Sequence, residues 1–389
     1  MSAQSPVAAA LAARAEALVD LAALRANLAE LRRLAGGREV IAVVKADAYG
    51  HGAPAVARAL EADGVTRLAV MSAGEAAELR AAGVRASILL LGGLERTEDA
   101  AAIAELDATA VVQHLDQIAP LAAAGARRGT PIAVQVEVDT GMSRMGIPAG
   151  EAIAALERIA AQGGLRLDGV YTHPARADET ELGSVREQLA RFARVLGEAR
   201  ARGIATGLVH VANSAALLAA GDLAAALPPE VNAVRPGIAL YGVRSAAHFA
   251  TPLRPVMTLR GRVVNVRRVA AGDPVGYGGT WRAARATSVA TVALGYADGV
   301  PWSLGGSGGE MGLGSRRVPI VGRISMDLTT LDAGGAPVAL GDTAVAFGDG
   351  GPTVEEMAAR AGTIPWEILV RVGRRVGRRT VGEGAAAPT

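Results

Sequence analysis

The segment VVKADAYGHG, residues 43–52, places a lysine at the end of an apolar run that begins at Val40. A short aliphatic run followed by small residues is typical of a buried strand that ends in a turn. A lysine in this position is costly to bury as a cation, so we expect its pKa to fall. The neutral amine would then suit imine chemistry. The alternative is a lysine whose stem is buried while its ammonium reaches the rim.

The pattern around this segment repeats along the first two-thirds of the chain. Alanine- and leucine-rich helical stretches separate eight β-rich runs, which lie at residues 40–45, 67–71, 86–91, 108–112, 131–138, 167–173, 207–211 and 231–235. One stretch, residues 185–203, is amphipathic, with Leu189, Phe192, Val195 and Leu196 on one side. Eight strands alternating with helices predict a TIM-like (β/α)8 barrel. The alternative is an open doubly wound sheet, but no GxGxxG motif follows the first strand.

The sequence pattern changes near Pro252, where short strands of alternating hydrophobicity and glycine-containing turns replace the predicted helices. We therefore expect an α/β protein with a C-terminal all-β domain. A single helix in this part is indicated by Thr353 and Glu356, which have the spacing of a capping box. The predicted organisation is a flexible N-terminus (1–14), a barrel (15–246) whose first strand pairs with the β domain, the β domain (247–383) and a flexible tail (384–389).

Composition excludes several classes of function. Lys and Arg number 40 against 38 Asp and Glu, a net charge of +2, which argues against nucleic acid or an acidic membrane as the partner. There are no cysteines, so disulfides, thiolate catalysis and cysteine metal sites are excluded, and we predict no metal site. The N-terminus lacks the pattern of a signal peptide, and no apolar run is long enough to span a membrane. We expect a soluble, cytoplasmic protein.

Polar residues follow the predicted barrel strands repeatedly, and chemistry in such barrels gathers at the carboxyl ends of the strands. The residues at these positions are Lys45, Glu137, Asp139, Arg144, His173, Asn213, Ser214 and Arg235. Ser214 begins a helical stretch, and Gly237 and Ile238 offer backbone N–H groups after the last strand, a place where barrels often hold phosphate. An amine that forms imines and a phosphate site together describe pyridoxal 5′-phosphate (PLP).

The motifs resemble those of the alanine racemase family, PLP enzymes with an N-terminal barrel and a C-terminal β domain. They occur in family order along nearly the whole chain: VKADAYGHG, DTGMSRMGI, HVANSAA, VRPGIALYG, GYADG and VGRISMD. The resemblance implies interconversion of L- and D-alanine, for D-alanine biosynthesis, with Lys45 as the residue that anchors the cofactor. It implies a cofactor site made of Lys45, Tyr49, His173, Asn213, Ser214, Arg235, Gly237, Ile238 and Trp366.

Racemisation requires an acid/base group on each face of the substrate's Cα. The resemblance implies that Lys45 serves one face and Tyr296, of the GYADG motif, serves the other. Arg144, with Met326 and Asp327 of the β domain, would bind the substrate. In the family, Tyr296 and its neighbours reach the barrel mouth of the other subunit, which implies a head-to-tail homodimer and an inactive monomer.

Some residues depart from the family pattern. Glu137 stands where many relatives carry a carbamylated lysine, and we expect it to pair with Arg144 and orient it without that modification. Pro174 and Arg176 alter the loop after His173, and Trp366 replaces a tyrosine. These changes leave open a racemase of another amino acid such as serine, or an aldolase or hydroxymethyl-transferring enzyme on the same scaffold. A non-enzymatic PLP carrier with a single barrel is a further alternative, which the β domain and Tyr296 argue against.

Overall fold

The computed structural model describes residues 14–382. The expected flexible tail (384–389) and all of the expected flexible N-terminus except Arg14 lie outside the described residues. The chain forms two compact units. One spans Leu24–Arg254, and the other joins the described residues up to Ala23 with the described residues from Pro255 to residue 382.

The unit Leu24–Arg254 is a closed barrel of eight parallel strands. In chain order, the described strands from the N-terminus to the end of this unit are β1 (Ala15–Asp20, outside the barrel), β2 (Glu39–Val43), β3 (Arg67–Val70), β4 (Ser87–Leu90), β5 (Ala108–Val112), β6 (Ile132–Asp139), β7 (Ile147–Pro148), β8 (Leu165–Tyr171), β9 (Leu208–His210) and β10 (Ala233–Val234). The strand β7 adds only a short pairing to β6. The last strand, β10, pairs with β2 and closes the ring. The predicted (β/α)8 barrel is thus confirmed, and the open sheet is excluded.

Helices alternate with the barrel strands. They are α1 (Leu21–Ala35), α2 (Ala53–Ala62), α3 (Ala73–Ala81), α4 (Ala100–Glu105), α5 (Ile118–Arg128), α6 (Ala152–Ala160), α7 (Gly183–Ala201), α8 (Ser214–Leu218) and α9 (Ala220–Leu223). The strands are mainly apolar because parallel strands in such a barrel are covered on both faces, and polar residues such as Gln135, Asp168 and His210 interrupt them. The predicted face of α7 is confirmed, since Leu189, Phe192, Val195 and Leu196 are all buried.

The second unit is built mainly of antiparallel strands. Its strands after β1 are β11 (Met257–Val269), β12 (Pro274–Val275), β13 (Trp281–Arg282), β14 (Thr287–Val292), β15 (Glu310–Leu313), β16 (Arg316–Pro319), β17 (Thr329–Gly334), β18 (Thr343–Phe347) and β19 (Gly377–Val381). Its main sheet has the order β16-β15-β18-β11-β1-β19, and β14 and β17 extend from β11. Two helices, α10 (Val354–Ala361) and α11 (Pro365–Val370), follow β18. The predicted capping box is present, because Thr353 and Glu356 exchange side-chain and backbone hydrogen bonds at the start of α10.

The boundaries between the units differ from the predicted 15–246 and 247–383. The strand β1 belongs to the β domain, where it pairs antiparallel with β11 and parallel with β19. The barrel unit extends to Arg254 because the side-chain amide of Asn27, on α1, donates to the Arg254 carbonyl (2.8 Å) and accepts from its N–H (2.8 Å). Such contacts between distant parts of the chain leave no local signal in the sequence.

No helix in the described part of the chain, residues 14–382, is both long enough and apolar enough to cross a membrane.

Candidate active site

The barrel gathers most of the predicted site residues at one end. Lys45 follows β2, Glu137 lies near the end of β6, His173 follows β8, Ser214 follows β9 and Arg235 follows β10. The strands are parallel and the ring is closed, so these positions share one mouth. Among the described residues, no group of three or more His, Asp or Glu side chains is arranged to hold a metal ion.

The backbone after Lys45 makes a left-handed turn. Residues 46–49 all have φ near +54°, although none of them is glycine. L-residues in this conformation each cost about 1–2 kcal/mol, because Cβ approaches the following carbonyl. Such strain persists only where surrounding contacts enforce it, and it concentrates at functional sites.

Glu75 is one of the groups that hold this turn. Its carboxylate completes the capping box of α3 with Ser72, accepts from the Met71 N–H (2.6 Å) and also accepts from the Ala46 N–H (2.7 Å). It therefore ties the start of α3 to the residue that follows Lys45. The sequence alone did not indicate that Glu75 contributes to this site. The Ser72–Glu75 spacing predicts the cap but not the second contact.

The surroundings of Lys45 favour its neutral amine. Burial lowers the pKa of Lys45, and the positive charges of Arg144 and Arg235 lower it further, while Glu75 acts in the opposite direction. The amine therefore releases its proton more readily than an exposed lysine does.

The predicted phosphate-binding residues lie together between α8 and the segment after β10. Asn213 caps α8 by accepting from the Ala216 N–H (3.0 Å), which leaves the Ser214 hydroxyl to accept from the Gly237 N–H (2.9 Å). A Cβ on Gly237 would clash with the Tyr49 hydroxyl, so any larger residue there would have to displace the Tyr49 side chain. Ile238 is buried at the start of the 3-10 helix Ile238–Tyr241.

Tyr49 itself is almost fully buried beside this segment. Burial raises the pKa of its phenol well above the usual value, so the side chain remains a hydrogen-bond donor. The phenol, Ser214 and the backbone of Gly237 form a small polar group in an otherwise apolar part of the barrel.

Arg235 is a buried cation with two histidine neighbours. Its Nη1 lies 2.5 Å from Nδ1 of His210, and its Nη2 lies 3.2 Å from Nδ1 of His173. Nη2 also donates to the Thr172 carbonyl (3.2 Å). The guanidinium carbon lies 4.5 Å from the centre of the Tyr171 ring. These contacts fix the position of the guanidinium.

His210 was also missed by the sequence analysis. It is fully buried in β9, and its ring stacks on Tyr171 with centroids 4.6 Å apart. The signal was available, because the imidazole interrupts the apolar run GLVHV of a predicted core strand. A buried histidine needs hydrogen-bond partners, and in a barrel interior those partners come from other strands.

The expected pairing of Glu137 with Arg144 is not what the structure has. Among the described residues, no ion pair joins the two side chains; instead Oε2 of Glu137 accepts from the Gln113 amide (2.7 Å) and from the Tyr171 hydroxyl (3.0 Å). Glu137 is buried on β6, whereas Arg144 is exposed on the loop that follows this strand. The negative charge of Glu137 stabilises the protonated form of buried Arg235.

The loop that carries Arg144 is shaped by Asp139. The Asp139 carboxylate accepts from the N–H groups of residues 141, 142 and 143, at 2.9, 2.9 and 3.1 Å. Arg144 extends from this loop, and its charge lowers the pKa of both Lys45 and His173. It is therefore placed to attract an anion to the barrel mouth.

The remaining predicted site residues lie in the β domain. The GYADG and SMD segments are joined there, since the Tyr296 N–H donates to the Ser325 carbonyl (3.1 Å) and the Ala297 N–H to the Met326 carbonyl (3.1 Å). A Cβ on Gly295 would clash with the Met326 carbonyl, so this close approach requires glycine.

An ion-pair group anchors these two segments. Buried Asp298 pairs with Arg375 (2.7 Å), which also pairs with Asp327 (2.7 Å). Tyr296 and Met326 remain exposed, by 45% and 53%. The β domain thus leaves Tyr296 partly exposed on a segment that these ion pairs anchor.

A cleft with a volume of about 640 Å³ lies beside Tyr296 within the β domain. Its lining residues include Val300, Trp302, Thr363, Glu367, Ile368 and Arg371. Trp366 lies on α11 and is half-buried. It does not line this cleft.

The buried histidines predict a specific dependence of stability on pH. The pKa of His173 is lowered to about 3, by burial first and then by Arg235 and Arg144, and burial likewise lowers the pKa of His210. In the unfolded chain both rings titrate near 6.5. Below that pH the unfolded state binds protons that the folded state does not, so stability is complete above about 6.5 and is lost as the pH falls.

We expect the free energy of unfolding, measured with urea at fixed protein concentration, to fall by up to about 1 kcal/mol per pH unit for each ring between pH 6.5 and 5. His210→Gln should flatten this slope, whereas the same change at exposed His248 should keep it. An identical slope in His210→Gln would contradict this account.

Comparisons with known proteins agree with the geometry. The family profile described as alanine racemase, N-terminal domain, matches residues 19–245, and that of the C-terminal domain matches residues 256–380. The alanine racemase of Sorangium cellulosum is 43% identical over 375 residues, which cover 92% of this chain and 97% of the relative.

Two solved structures extend the agreement to the fold. The alanine racemase of D-cycloserine-producing Streptomyces lavendulae is 35% identical, with a TM-score of 0.88 and coverage of 96% and 98% of the two chains. The alanine racemase of Bacillus anthracis with bound L-Ala-P is 33% identical, with a TM-score of 0.86 and coverage of 96% and 97%. The motifs, the fold and these similarities together lead to one conclusion: the chain belongs to the alanine racemase family.

Proposed function

We propose that this protein is a PLP-dependent racemase that interconverts L- and D-alanine by a two-base mechanism. The observation that carries the proposal is the position of Lys45: a partly buried amine at the barrel mouth, held by a strained turn between the charges of Arg144 and Arg235. Lys45 is also the only lysine in the sequence. No other side chain can therefore supply the amine that this family uses.

The residues at the mouth fit PLP. The cofactor carries an aldehyde and a phosphate, and the mouth supplies an amine of lowered pKa together with a group of cations suited to an anion. Tyr49, Ser214, Gly237 and Ile238 would hold the phosphate, with Asn213 shaping that segment and Trp366 of the β domain contributing at the entrance. The tight packing of Gly237 against the Tyr49 hydroxyl supports this assignment, because it keeps polar atoms together where a side chain would separate them.

Arg235 would face the ring nitrogen of the cofactor. A guanidinium donates hydrogen bonds and does not give up its proton in proteins, so that nitrogen would remain unprotonated. His173 and the Thr172 carbonyl hold one edge of the guanidinium.

When bound, PLP withdraws electrons from the amino acid and makes its α-proton acidic. The chain's own groups then move the proton. The amine of Lys45 takes or returns it on one face of Cα, and the phenol of Tyr296 does so on the other. Arg144 would bind the substrate carboxylate, as would the backbone of Met326, with Asp327 holding that segment through Arg375.

We infer that Tyr296 acts in the site of a second copy, in a head-to-tail homodimer. The support is the exposure of Tyr296 and Met326 on segments of the β domain that ion pairs anchor, together with the family to which the chain belongs. The same proposal makes an isolated monomer inactive. We also propose that the enzyme works in the cytoplasm, where it would supply D-alanine.

The direct test of this function is chiral chromatography of the products formed from L-alanine by the PLP-loaded protein. D-alanine should accumulate towards equal amounts of both enantiomers. L-Serine is the comparison substrate, because Pro174 and Arg176 alter the loop after His173, and release of an aldehyde would reveal cleavage. Failure to convert alanine in either direction would overturn the proposal.

We further propose that Glu137 replaces the carbamylated lysine of many relatives. No second lysine exists to carry a carbamate, and Glu137 already supplies a buried negative charge beside Tyr171 and Arg235. The Tyr171 hydroxyl donates to Glu137 and the Tyr171 ring lies against Arg235, which supports a role of the carboxylate in stabilising Arg235 rather than in pairing with Arg144.

Glu137→Gln should lower kcat/KM for alanine by about tenfold, since the charge that stabilises buried Arg235 is removed. The variant also replaces a carboxylate, which accepts from the Gln113 amide, with a second amide whose own NH2 group cannot accept that hydrogen bond. Steady-state kinetics of the PLP-loaded variant measure the change, and Glu105→Gln, at an exposed position on α4, is the control. Unchanged kinetics in Glu137→Gln would remove this role.

A further inference from the structure

A chain of four buried or partly buried polar side chains crosses the barrel interior below the proposed site. Asp168 lies on β8, Gln135 on β6, His210 on β9 and Arg235 just after β10. The Gln135 amide nitrogen lies 3.3 Å from Oδ2 of Asp168, and Oε1 of Gln135 lies 2.7 Å from Nε2 of His210. Nδ1 of His210 then meets Nη1 of Arg235 at 2.5 Å.

The two ends of this chain determine where every proton lies. Asp168 is paired with Arg67 (3.2 Å) and Arg166 (2.9 Å), and an ionised carboxylate only accepts hydrogen bonds. Arg235 is a guanidinium, which only donates. An amide whose NH2 faces the Asp168 carboxylate must turn its oxygen to His210.

The orientation of the amide fixes the tautomer of the imidazole. Because Oε1 of Gln135 accepts, Nε2 of His210 must carry the proton. A neutral ring has one N–H, so Nδ1 holds a lone pair and accepts from Arg235. A proton on Nδ1 would instead oppose the Arg235 N–H, and a doubly protonated ring would place a second cation beside a buried one.

The surroundings leave no easy substitute for Gln135. Gln135 is 1% exposed, and it borders a void of about 10 Å³ shared with Arg67 and Thr109, which is barely the room of one water molecule. The His210 ring is also held by its stacking on Tyr171, whose plane lies within 16° of its own. The ring therefore depends on Gln135 for its Nε2 acceptor.

We propose that Gln135 and Asp168 are positioning residues that hold His210 as the Nε2–H tautomer and thereby align Arg235. This inference rests on the proposed function only for its effect on turnover, since the tautomer of His210 depends on the protein alone and not on the reaction. Both residues act through His210 and form the half of the polar chain away from Arg235.

The experiment is long-range 1H–15N correlation NMR of the holoenzyme labelled with 15N-histidine. The sequence has five histidines, and the signals of His210 are identified by their loss in His210→Gln. In the wild type we expect Nε2 of His210 to appear as a protonated nitrogen and Nδ1 as a bare one. A ring protonated on Nδ1, or on both nitrogens, would overturn the inference.

Gln135→Met removes the acceptor while filling a similar volume. We expect a mixture of the two tautomers, with kcat for alanine lowered about tenfold and KM changed less than about twofold. Gln135→Glu should restore the wild-type pattern, because a protonated carboxyl can donate to Asp168 and accept from His210. Thr109→Val, beside the same void, is the packing control and should change neither tautomer nor kcat.

The outcomes separate this inference from the proposed function. A pure Nε2–H tautomer and an unchanged kcat in Gln135→Met would overturn it. If Gln135→Met does not fold, the wild-type reading and Gln135→Glu remain decisive, because a changed tautomer in Gln135→Glu also contradicts the proposed chain. If the predicted tautomers appear but alanine is not racemised, the proposed function fails, whereas the inference that Gln135 and Asp168 set the tautomer of His210 is retained.

Discussion

Lys45→Ala is expected to abolish racemisation, with a loss of at least about 10³-fold in kcat/KM, and to remove the absorbance band of the bound cofactor. The reason is that one change deletes both the amine that anchors PLP and one of the two acid/base groups. Absorbance spectra of the purified variant, followed by the chiral assay, measure the two effects separately.

The composition of the chain sharpens this test. Treatment of the wild-type holoenzyme with borohydride should fix one cofactor per chain, and because Lys45 is the only lysine, peptide mapping should find the added mass there. Lys45→Arg is the matched control, since it keeps a long cationic side chain but cannot form an imine. A stable cofactor band and near-normal turnover in either variant would remove Lys45 from its proposed role.

Tyr296→Phe is expected to lower kcat for racemisation by about 10²–10⁴-fold while the cofactor remains bound. Only a hydroxyl is lost, so the GYADG backbone and its hydrogen bonds to residues 325 and 326 should be retained. Kinetics in both directions and the cofactor spectrum provide the measurement.

The matched control for this variant is Tyr277→Phe, because Tyr277 is also in the β domain and is 71% exposed. It should keep the wild-type rate. Equal activity of the wild type and Tyr296→Phe would mean that the second proton comes from another group.

The fold could be predicted from the sequence because its signals are local. Eight short apolar runs, typical of strands covered on both faces, are sufficient to indicate the barrel strands, and the polar residues that follow five of them mark the mouth. The position of Lys45 after β2 was predicted in this way. The amphipathic pattern of α7 likewise predicted which of its residues are buried.

The parts that could not be predicted depend on contacts between distant residues or on disfavoured geometry. Four consecutive left-handed residues after Lys45 run against the steric preference of every residue involved, so no propensity indicates them. The partners of Glu137 come from β8 and from Gln113 after β5, and only the assembled barrel brings them together. The boundary at Arg254 has the same origin, since it follows from the side chain of Asn27.

The central claim is that two groups, Lys45 and Tyr296, serve opposite faces of the substrate. It is tested most directly by incubating L-alanine and D-alanine separately in D2O with the wild-type enzyme and with Tyr296→Phe, and then measuring α-deuterium in each recovered enantiomer. We predict that the wild type places deuterium in both enantiomers, whereas Tyr296→Phe exchanges the α-proton of only one enantiomer, with retention of its configuration. Exchange of both enantiomers by Tyr296→Phe, together with racemisation at the wild-type rate, would contradict the account.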